Sequence, residues 1–296
     1  MSKSLTKNLI VTFLCIGLIL LQVFFPYFYY SSAPRNSNST FNVGITYVYE
    51  QDNVSQIYGQ VSQIHSLGFK TIRVDLVCDP LNAEDISNNQ TDVFFSAAQY
   101  FKMSVAVIIN NQALTSTIQY YLTHWGKYLS YIQILNEPEL SSSWAPGALF
   151  TDDEITAQFQ QDYAVVQSYH LPVQLYTNFE VGFLLRPNIP IELSKNLNFV
   201  GLDVYMQSFL ILSPDLAQLL HQITKKQIVI TEFGMDTAND TAQANFLIQG
   251  LNLFKSMGLK SCWIAYWNDN EGNYGIRGRL AEKMVGEWIA DNTKSS

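Results

Sequence analysis

Two glutamates each stand at the end of a short apolar run of the chain. Glu137 follows residues 131–135 in the sequence YIQILNEPEL, and Glu232 follows residues 227–231 in QIVITEFG. Two carboxyl groups that face one cleft can cleave a glycosidic bond, because one protonates the leaving oxygen while the other attacks the anomeric carbon or activates water. The sequence therefore offers Glu137 and Glu232 as a catalytic pair, provided that the fold brings them together.

The elements that would position this pair are short strands alternating with longer helical stretches. Apolar, β-branched runs predict eight strands, at residues 42–46, 71–76, 104–109, 131–135, 173–176, 199–205, 227–231 and 261–267. Apolar residues at helical spacing predict helices at about residues 54–67, 91–102, 113–125, 151–169, 214–225, 241–257 and 280–290. Residues 181–197 contain Pro187 and Pro190 and are predicted to be irregular.

This alternation is typical of an α/β fold, the (β/α)₈ TIM barrel, which takes about 250 residues. A doubly wound open sheet is the alternative, but it usually carries a glycine-rich phosphate-binding turn after its first strand. Here the first strand, NVGITY, offers a single glycine. The barrel is therefore the preferred prediction, and it places Glu137 and Glu232 at the ends of strands four and seven.

Catalytic groups in such barrels lie at the carboxyl ends of the strands. These ends carry acidic, amide, basic and aromatic side chains: Arg73, Asp75, Asn110, Asn111, Asn136, Glu137, Asn178, Glu180, Asp203, Tyr205, Glu232, Trp267 and Asp269. The set contains no cluster of metal ligands, and the four histidines fall in or beside predicted helices. We therefore expect no metal and no cofactor, and a ligand with hydroxyl groups and an apolar face, such as a sugar.

Two motifs resemble a known group of enzymes. Asn136-Glu137-Pro138 after the fourth strand and ITEFG, residues 230–234, in the seventh are similar to motifs of the retaining (β/α)₈ glycosidases of glycoside hydrolase clan A. The closest likeness is to family 5, the cellulase and mannanase type, and it covers residues 41–291. The resemblance implies that Glu137 is the acid/base and Glu232 the nucleophile of a double displacement.

The same resemblance implies supporting roles around the two glutamates. Asn136 would contact the sugar 2-hydroxyl. Arg73 and Tyr205 would hold the nucleophile, the first by its permanent charge and the second by a hydrogen bond. Trp267, in the eighth strand, would form the floor of the sugar subsite.

The chain departs from the family 5 pattern at two strand ends. Members commonly carry a histidine near the end of strand three and another two residues before the tyrosine of strand six. Here those places hold Asn110 or Asn111, and Asp203. Asp203 either takes over a hydrogen-bonding role or merely closes its strand.

Other side chains near the strand ends have more than one interpretation. Trp144, in the loop after strand four, is either a stacking platform for sugar or a ring that packs beneath its own loop. Four acidic residues are expected to be solvated or supporting charges rather than catalytic ones: Asp75, Glu139, Glu180 and Asp269.

Charge and composition narrow the class of partner. The 296 residues have a formal net charge of −8, and only 14% of them are charged. Because no lysine or arginine cluster occurs, nucleic acid is not expected as a partner. The predicted function is that of a retaining glycosidase acting on a β-linked poly- or oligosaccharide. The alternatives are a transglycosylase that remodels surface glycans and a catalytically silent carbohydrate-binding barrel.

The amino terminus has the pattern of a membrane segment. Residues 9–30 form an apolar run behind Lys3 and Lys7, which is the length and charge arrangement of an anchor whose amino end stays in the cytoplasm. A cleaved signal peptide, with Ser31 and Ala33 at the cleavage site, is the alternative. Both predict a barrel outside the cytoplasm, as do four N-x-S/T sequons.

The predicted organisation has four parts. They are an anchor or signal peptide at 1–30, a Ser/Asn-rich linker at 31–40, the barrel at 41–291 and a tail at 292–296. Beyond the anchor the chain has two cysteines, Cys78 and Cys262, which could form one disulfide bond.

Overall fold

The computed structural model describes residues 41–75, 88–144, 150–269 and 272–293. The predicted anchor at 1–30, the linker at 31–40 and Cys78 lie outside these ranges. Within them, no helix combines the length and the apolar character needed to cross a membrane. Membrane attachment and the pairing of Cys78 with Cys262 therefore stay predictions.

Parallel strands and helices alternate along the described chain. The strands are β1 (Asn42–Thr46), β2 (Thr71–Asp75), β3 (Ser104–Ile109), β4 (Tyr131–Ile134), β5 (Gln174–Tyr176), β6 (Asn178–Phe179), β7 (Phe199–Tyr205), β8 (Gln227–Gly234) and β9 (Ser261–Ile264). The helices are α1 (Val54–Ser66), α2 (Asn88–Tyr100), α3 (Thr115–Trp125), α4 (Asp152–Ser168), α5 (Asn188–Ser194), α6 (Met206–Thr224), α7 (Asp240–Ser256) and α8 (Leu280–Asn292). Short 3₁₀ turns lie at Tyr49–Gln51, Gly126–Tyr128, Ser141–Ser143 and Val181–Leu185.

The strands form one parallel sheet in the order β5-β4-β3-β2-β1-β9-β8-β7-β6. β5 and β6 are two parts of one extended segment, separated only by Thr177, so the two ends of this order meet. Backbone bonds join them, because the Gly201 amide donates to the Thr177 carbonyl at 2.8 Å and the Asn198 amide to the Leu175 carbonyl at 2.9 Å. The sheet therefore closes into the predicted (β/α)₈ barrel, and the open doubly wound alternative is wrong.

The first helix shows how local sequence sets these elements. Asn53 caps α1, since its side chain accepts the amide of Gln56 and the Gln56 side chain accepts the amide of Asn53. Ile57, Val61 and Ile64 recur at helical spacing and are buried against the barrel. The predicted helix over residues 54–67 is confirmed.

Two segments differ from the prediction. Helix α6 begins at Met206 rather than at residue 214, because Pro214 lies inside the helix and does not start it. Residues 181–197, predicted to be irregular, contain a 3₁₀ turn and helix α5. Pro190 is tolerated in α5 because it stands in the first turn, where its missing amide hydrogen would have no helical acceptor.

Aromatic side chains fill the amino-terminal half of the barrel. Tyr176, Phe199 and Trp263 are buried together, and the rings of Tyr176 and Phe199 stack with centroids 4.8 Å apart. Gly44 makes room for this layer, since a Cβ there would lie 2.6 Å from the Trp263 ring. The layer leaves the carboxyl-terminal half of the barrel for polar side chains.

A β-bulge in β8 changes which side chains face the interior. Leu202 of β7 pairs with Ile230, but the next residue, Asp203, pairs with Glu232, so Thr231 is the extra residue. Strict alternation would place Thr231 inside and Glu232 outside the barrel. The bulge turns both inward.

The contacts on either side of the bulge agree with this geometry. The Thr231 hydroxyl donates to Asp203 at 2.7 Å inside the barrel, and Glu232 lines a cavity at the carboxyl ends of the strands. Phe233 faces outward instead, where its ring lies 4.7 Å from that of Phe246 on α7. One extra residue thus aims Glu232 at the barrel interior.

Candidate active site

The cavity at the carboxyl ends of the strands has a volume of about 360 Å³. Glu137 and Glu232 both line it, together with the residues Thr46, Arg73, Asp75, Ile108, Asn136, Ser142, Ser143, Tyr205, Tyr266 and Tyr274. The structure thus brings five of the predicted site residues to one space. The two glutamates are the pair that the sequence offers for catalysis.

Hydrogen-bond donors hold both carboxylate oxygens of Glu232. Nη2 of Arg73 lies 2.5 Å from Oε1, and the Asn178 amide donates to the same oxygen at 3.3 Å. The Tyr205 hydroxyl donates to Oε2. Burial works to lower the pKa of Arg73, but the charge of Glu232 and of other nearby acidic groups holds it well above its usual value. Glu232 is therefore fixed as an ion-paired acceptor at the cavity wall.

The carboxyl group of Glu137 has a strongly raised pKa. Burial first, and then the negative charge of Glu232, raise its pKa to about 8. A carboxyl with such a pKa keeps its proton at neutral pH and can donate it. The two glutamates therefore combine a proton donor with an ion-paired carboxylate.

The backbone around Glu137 is held in an unfavourable conformation. Leu135 has φ +65° and Glu137 has φ +43°, the left-handed region that side chains other than glycine seldom adopt. Two bonds maintain it, since the Leu135 amide donates to the Ile109 carbonyl at 2.9 Å and the Glu137 amide to Oδ1 of Asn178 at 3.0 Å. This strain directs the end of β4 toward the cavity.

Two buried amides, to which the sequence assigned no role, connect the predicted residues. Oε1 of Gln133 accepts from Arg73 at 2.8 Å, and its Nε2 donates to Asn136 and to Asn178, both at 2.8 Å. Asn178 in turn donates to Oδ1 of Asn136 at 2.9 Å. The signal for Gln133 was a single polar residue inside the buried strand YIQI.

Asp203 has the hydrogen-bonding role that was one of its two interpretations. Its Oδ2 accepts from Asn178 at 2.5 Å and its Oδ1 from Thr231 at 2.7 Å. The Glu137 side chain also bonds to it. Burial, followed by the charges of Glu232 and Glu137, raises the pKa of Asp203 well above its usual value. Asp203 is therefore a buried partner of the acid candidate.

At the end of β3, Asn111 and not Asn110 belongs to the site. Asn110 is exposed, lies outside the cavity lining and makes none of the site's hydrogen bonds. The side chain of Asn111 accepts the Asn136 amide at 2.9 Å and donates to the Asn136 carbonyl at 2.8 Å. The prediction for Asn110 is corrected to its neighbour, because the chain turns between the two residues.

Two tryptophans do not reach the cavity. Trp267 is 0% exposed, and its indole N–H donates to Gln60 of α1 at 2.8 Å, so it cannot form the floor of a sugar subsite in this conformation. Trp144 packs beneath its own loop: its indole N–H donates to the Pro138 carbonyl at 3.0 Å, and its ring lies 4.2 Å from that of Phe150. The aromatic faces in the cavity belong to tyrosines instead.

Tyr266 and Tyr274 are cavity residues that the sequence did not point to. Tyr266 is adjacent to Trp267, and the choice between them depends on where β9 ends. Because β9 stops at Ile264, the expected strand over residues 261–267 assigned the inward face to the wrong ring.

Glu139 is not the solvated charge that the sequence suggested. It is 5% exposed, and its Oε1 accepts the Glu180 amide at 2.6 Å, which joins the loop after β4 to the segment after β6. Burial raises the pKa of Glu139 to about 8. Its other oxygen has no hydrogen-bond partner, a state that suits a protonated carboxyl better than an ionised one.

Acidic side chains in and around the cavity do not form a metal-binding group. The part of the chain that the structure describes contains no set of three or more His, Cys, Asp or Glu side chains arranged to hold a metal ion. The carboxylates nearest the cavity are engaged with arginine, amide and hydroxyl groups instead, as Glu232 is with Arg73, Asn178 and Tyr205.

Comparison with solved structures identifies barrels of the same kind. The endo-β-1,4-mannanase from Thermotoga petrophila superposes with a TM-score of 0.65 at 9% identity, over 90% of this chain and 79% of that one. For the endo-1,4-β-mannanase from Rhizomucor miehei the TM-score is 0.63 at 13% identity, over 86% and 94%. For the β-glucosidase from Pyrococcus furiosus it is 0.63 at 10% identity, over 86% and 96%.

The chain has the fold of known β-glycosidases. The likeness expected from the sequence is thus confirmed for the barrel as a whole. No protein-family model and no curated protein matches the sequence. Identities this low establish the fold alone, so the activity has to be argued from the residues of the site.

Proposed function

We propose that the protein is a retaining glycosidase that hydrolyses a β-linked poly- or oligosaccharide, with Glu137 as acid/base and Glu232 as nucleophile. The observation that carries this proposal is the contrast between the two glutamates at one cavity. Glu232 is paired with Arg73 and Tyr205, whereas Glu137 has a pKa raised to about 8. Glycoside cleavage by double displacement requires such a pair.

The residues divide the reaction into two steps. In the first, Glu232 attacks the anomeric carbon while Glu137 gives its proton to the leaving oxygen, so the glycosidic C–O bond breaks and a glycosyl ester forms. In the second, Glu137 removes a proton from water, which attacks the anomeric carbon and releases Glu232. Arg73 and Tyr205 hold Glu232 as leaving group, and Asn136 lies where it can bond a sugar hydroxyl.

The test replaces each glutamate by its amide. Glu232→Gln and Glu137→Gln should each lower kcat for an aryl β-glycoside by about a thousandfold, since each removes a group that takes part in bond cleavage. Glu192→Gln is the matched control, because this glutamate of α5 is exposed, pairs with Lys195 and does not line the cavity. Turnover close to that of the wild type in Glu232→Gln or Glu137→Gln would contradict the role assigned to that residue.

Hydrolysis is then measured with β-1,4-linked tetrasaccharides of glucose and of mannose. These two sugars are chosen because the solved structures of the same fold include a β-glucosidase and mannanases. Longer products at high sugar concentration would indicate a transglycosylase, in which sugar acceptors outcompete water. Sugar binding without any bond cleavage would contradict the proposal and support a silent binding barrel.

We also propose that the barrel lies outside the cytoplasm, attached to the membrane through residues 1–30. Support comes from the apolar run behind Lys3 and Lys7. In intact cells, added protease should digest the barrel while leaving cytoplasmic proteins whole; a barrel protected until the cells are lysed would refute this location.

A further inference from the structure

An aromatic surface lies beside the two glutamates in the cavity. Tyr274, in the loop after β9, has its ring 5.4 Å from that of Tyr205, edge to face, and 6.1 Å from that of Tyr266. All three rings line the cavity. The hydroxyl of Tyr205 is engaged with Glu232, so its ring is held in place by the nucleophile and supports Tyr274 from one side.

Residues 273–275, which include Tyr274, are hydrogen-bonded to the barrel. Gln243, fully buried on α7, donates to the carbonyls of Asn273, Tyr274 and Gly275 at 3.1, 3.1 and 3.3 Å. Asp269 accepts the Gly275 amide at 2.7 Å. A ring fixed in this way loses little conformational freedom when a ligand arrives, which is how a preorganised binding surface gains affinity.

Gly234 allows the Tyr274 ring to approach the end of β8. A Cβ at this position would lie 3.2 Å from Cδ1 of Tyr274 and 2.9 Å from Cβ of Ala265. Because Gly234 is two residues beyond Glu232, the missing side chain leaves the Tyr274 ring next to the nucleophile's strand. Burial raises the pKa of the Tyr274 hydroxyl, and the charges of Asp236, Glu180, Glu137 and Glu232 add to this effect.

The indole that would otherwise provide a sugar platform is not available. Trp267 is buried, and its N–H is bonded to Gln60 on the far side of the barrel wall. A pyranose ring has an apolar face that an aromatic ring can cover, and binding pockets commonly combine such a surface with a few polar groups.

We propose that Tyr274, with Tyr266 beside it, is the surface on which the apolar face of a neutral pyranose stacks when its anomeric carbon lies at Glu232. The inference rests on the proposed function and specifies its ligand. Neutral sugar is favoured over an acidic one, because the carboxylates of Asp75 and Glu232 line the same cavity and would repel a sugar carboxylate.

The experiment measures sugar binding rather than turnover. Calorimetric titration with the β-1,4-linked glucose and mannose tetrasaccharides is carried out on the full chain carrying Glu232→Gln, so that no substrate is consumed. Adding Tyr274→Ala should weaken binding of the preferred sugar about tenfold or more, whereas Tyr274→Phe should stay within about threefold. Tyr100→Ala is the matched control, because this tyrosine of α2 is 71% exposed and lies outside the cavity.

Several outcomes would overturn the proposal. They are unchanged affinity in Tyr274→Ala, an equal loss in Tyr274→Ala and Tyr274→Phe, and no binding of either tetrasaccharide by the Glu232→Gln protein. If Tyr274→Ala lowers Tm, Tyr274→Leu replaces it, and affinity retained by leucine also contradicts stacking.

The glucose tetrasaccharide oxidised to C6 carboxylates should bind more weakly than the neutral form, and equal binding refutes the preference for neutral sugar. Full turnover in the Glu232→Gln protein would instead count against the proposed function, whereas unchanged affinity in Tyr274→Ala counts against the stacking surface alone.

Discussion

At the scale of single residues, the proton on Glu137 is retained because of the surroundings of its carboxyl. Burial and the charge of Glu232 both oppose ionisation, while a hydrogen bond between its carboxyl and Asp203 favours ionisation and works in the other direction. Glu232, by contrast, is met by Arg73, Tyr205 and Asn178. Two chemically identical side chains thus have different surroundings, and the proposed roles follow from that difference.

The pH dependence of the reaction should follow from this. We expect kcat/KM for an aryl β-glycoside with a poor leaving group to fall as the pH rises through about 8, because Glu137 then loses the proton it must donate. A dinitrophenyl glycoside is the control: its leaving group departs without protonation, so the fall should be much weaker. A fall that begins near pH 4.5, the ordinary pKa of this side chain, would contradict the assignment.

At the scale of elements, β7 approaches its neighbouring strands closely where it passes the bulge of β8. A Cβ at Gly201 would lie 2.3 Å from Oγ1 of Thr231 and 2.8 Å from Cβ of Asn178. Both neighbours belong to the hydrogen-bond network beneath Glu232. A glycine in the middle of a strand is normally unfavourable, and here the close approach of two other strands requires it.

Gly201→Ala should therefore disturb stability and activity together. We expect a loss of about 1–3 kcal/mol in the free energy of unfolding, as for other overpacked interiors, and a lower kcat because Asn178 and Thr231 must shift. Gly59→Ala is the control, since a Cβ at Gly59 on α1 meets nothing within 4 Å, and alanine should stabilise a helix there by about 0.5–1 kcal/mol. Urea unfolding measures the stability of both variants. Equal stability of Gly201→Ala and Gly59→Ala would refute the role of Gly201.

Sequence periodicity predicted the elements better than it predicted the directions of side chains. Strands β1, β3 and β7 have the predicted bounds, because runs of β-branched residues bounded by polar ones define them directly. The bulge at Thr231 was not predictable, since QIVITEFG reads as an unbroken strand. Trp267 was assigned to the cavity because residues 261–267 also read as an unbroken strand. In the structure β9 ends three residues before Trp267, and that ring is buried away from the cavity.

At the scale of the whole molecule, buried carboxyl groups couple folding to pH. Glu139 has a pKa of about 8 in the folded protein against an ordinary value of 4.5. Below 4.5 it is protonated whether the chain is folded or unfolded. Between 4.5 and 8 only the unfolded chain ionises it, so its contribution to stability is lost progressively as the pH rises through this window.

Glu139→Gln should remove this pH dependence while keeping the bond to the Glu180 amide, since the glutamine oxygen can still accept it. Relative to the wild type, we expect the variant to gain stability between pH 5 and pH 8, by on the order of 2–4 kcal/mol. Urea titrations at the two pH values measure the change, and exposed Glu192→Gln should show almost none. A stability difference that is the same at both pH values would mean that Glu139 is ionised in the folded protein.

The sequence around the bulge also makes strand β8 resistant to a shift in register. Its extra residue turns Glu232 inward toward Arg73 and Phe233 outward into a layer where Phe254 and Gly250, which has no side chain, receive the ring. If this strand shifted by one residue, the Glu232 carboxylate would lie in the apolar layer and the Phe233 ring at the cavity. Burying an unpaired carboxylate in this way would cost several kcal/mol. The position of Glu232 is therefore stabilised by the burial of the apolar residue that follows it.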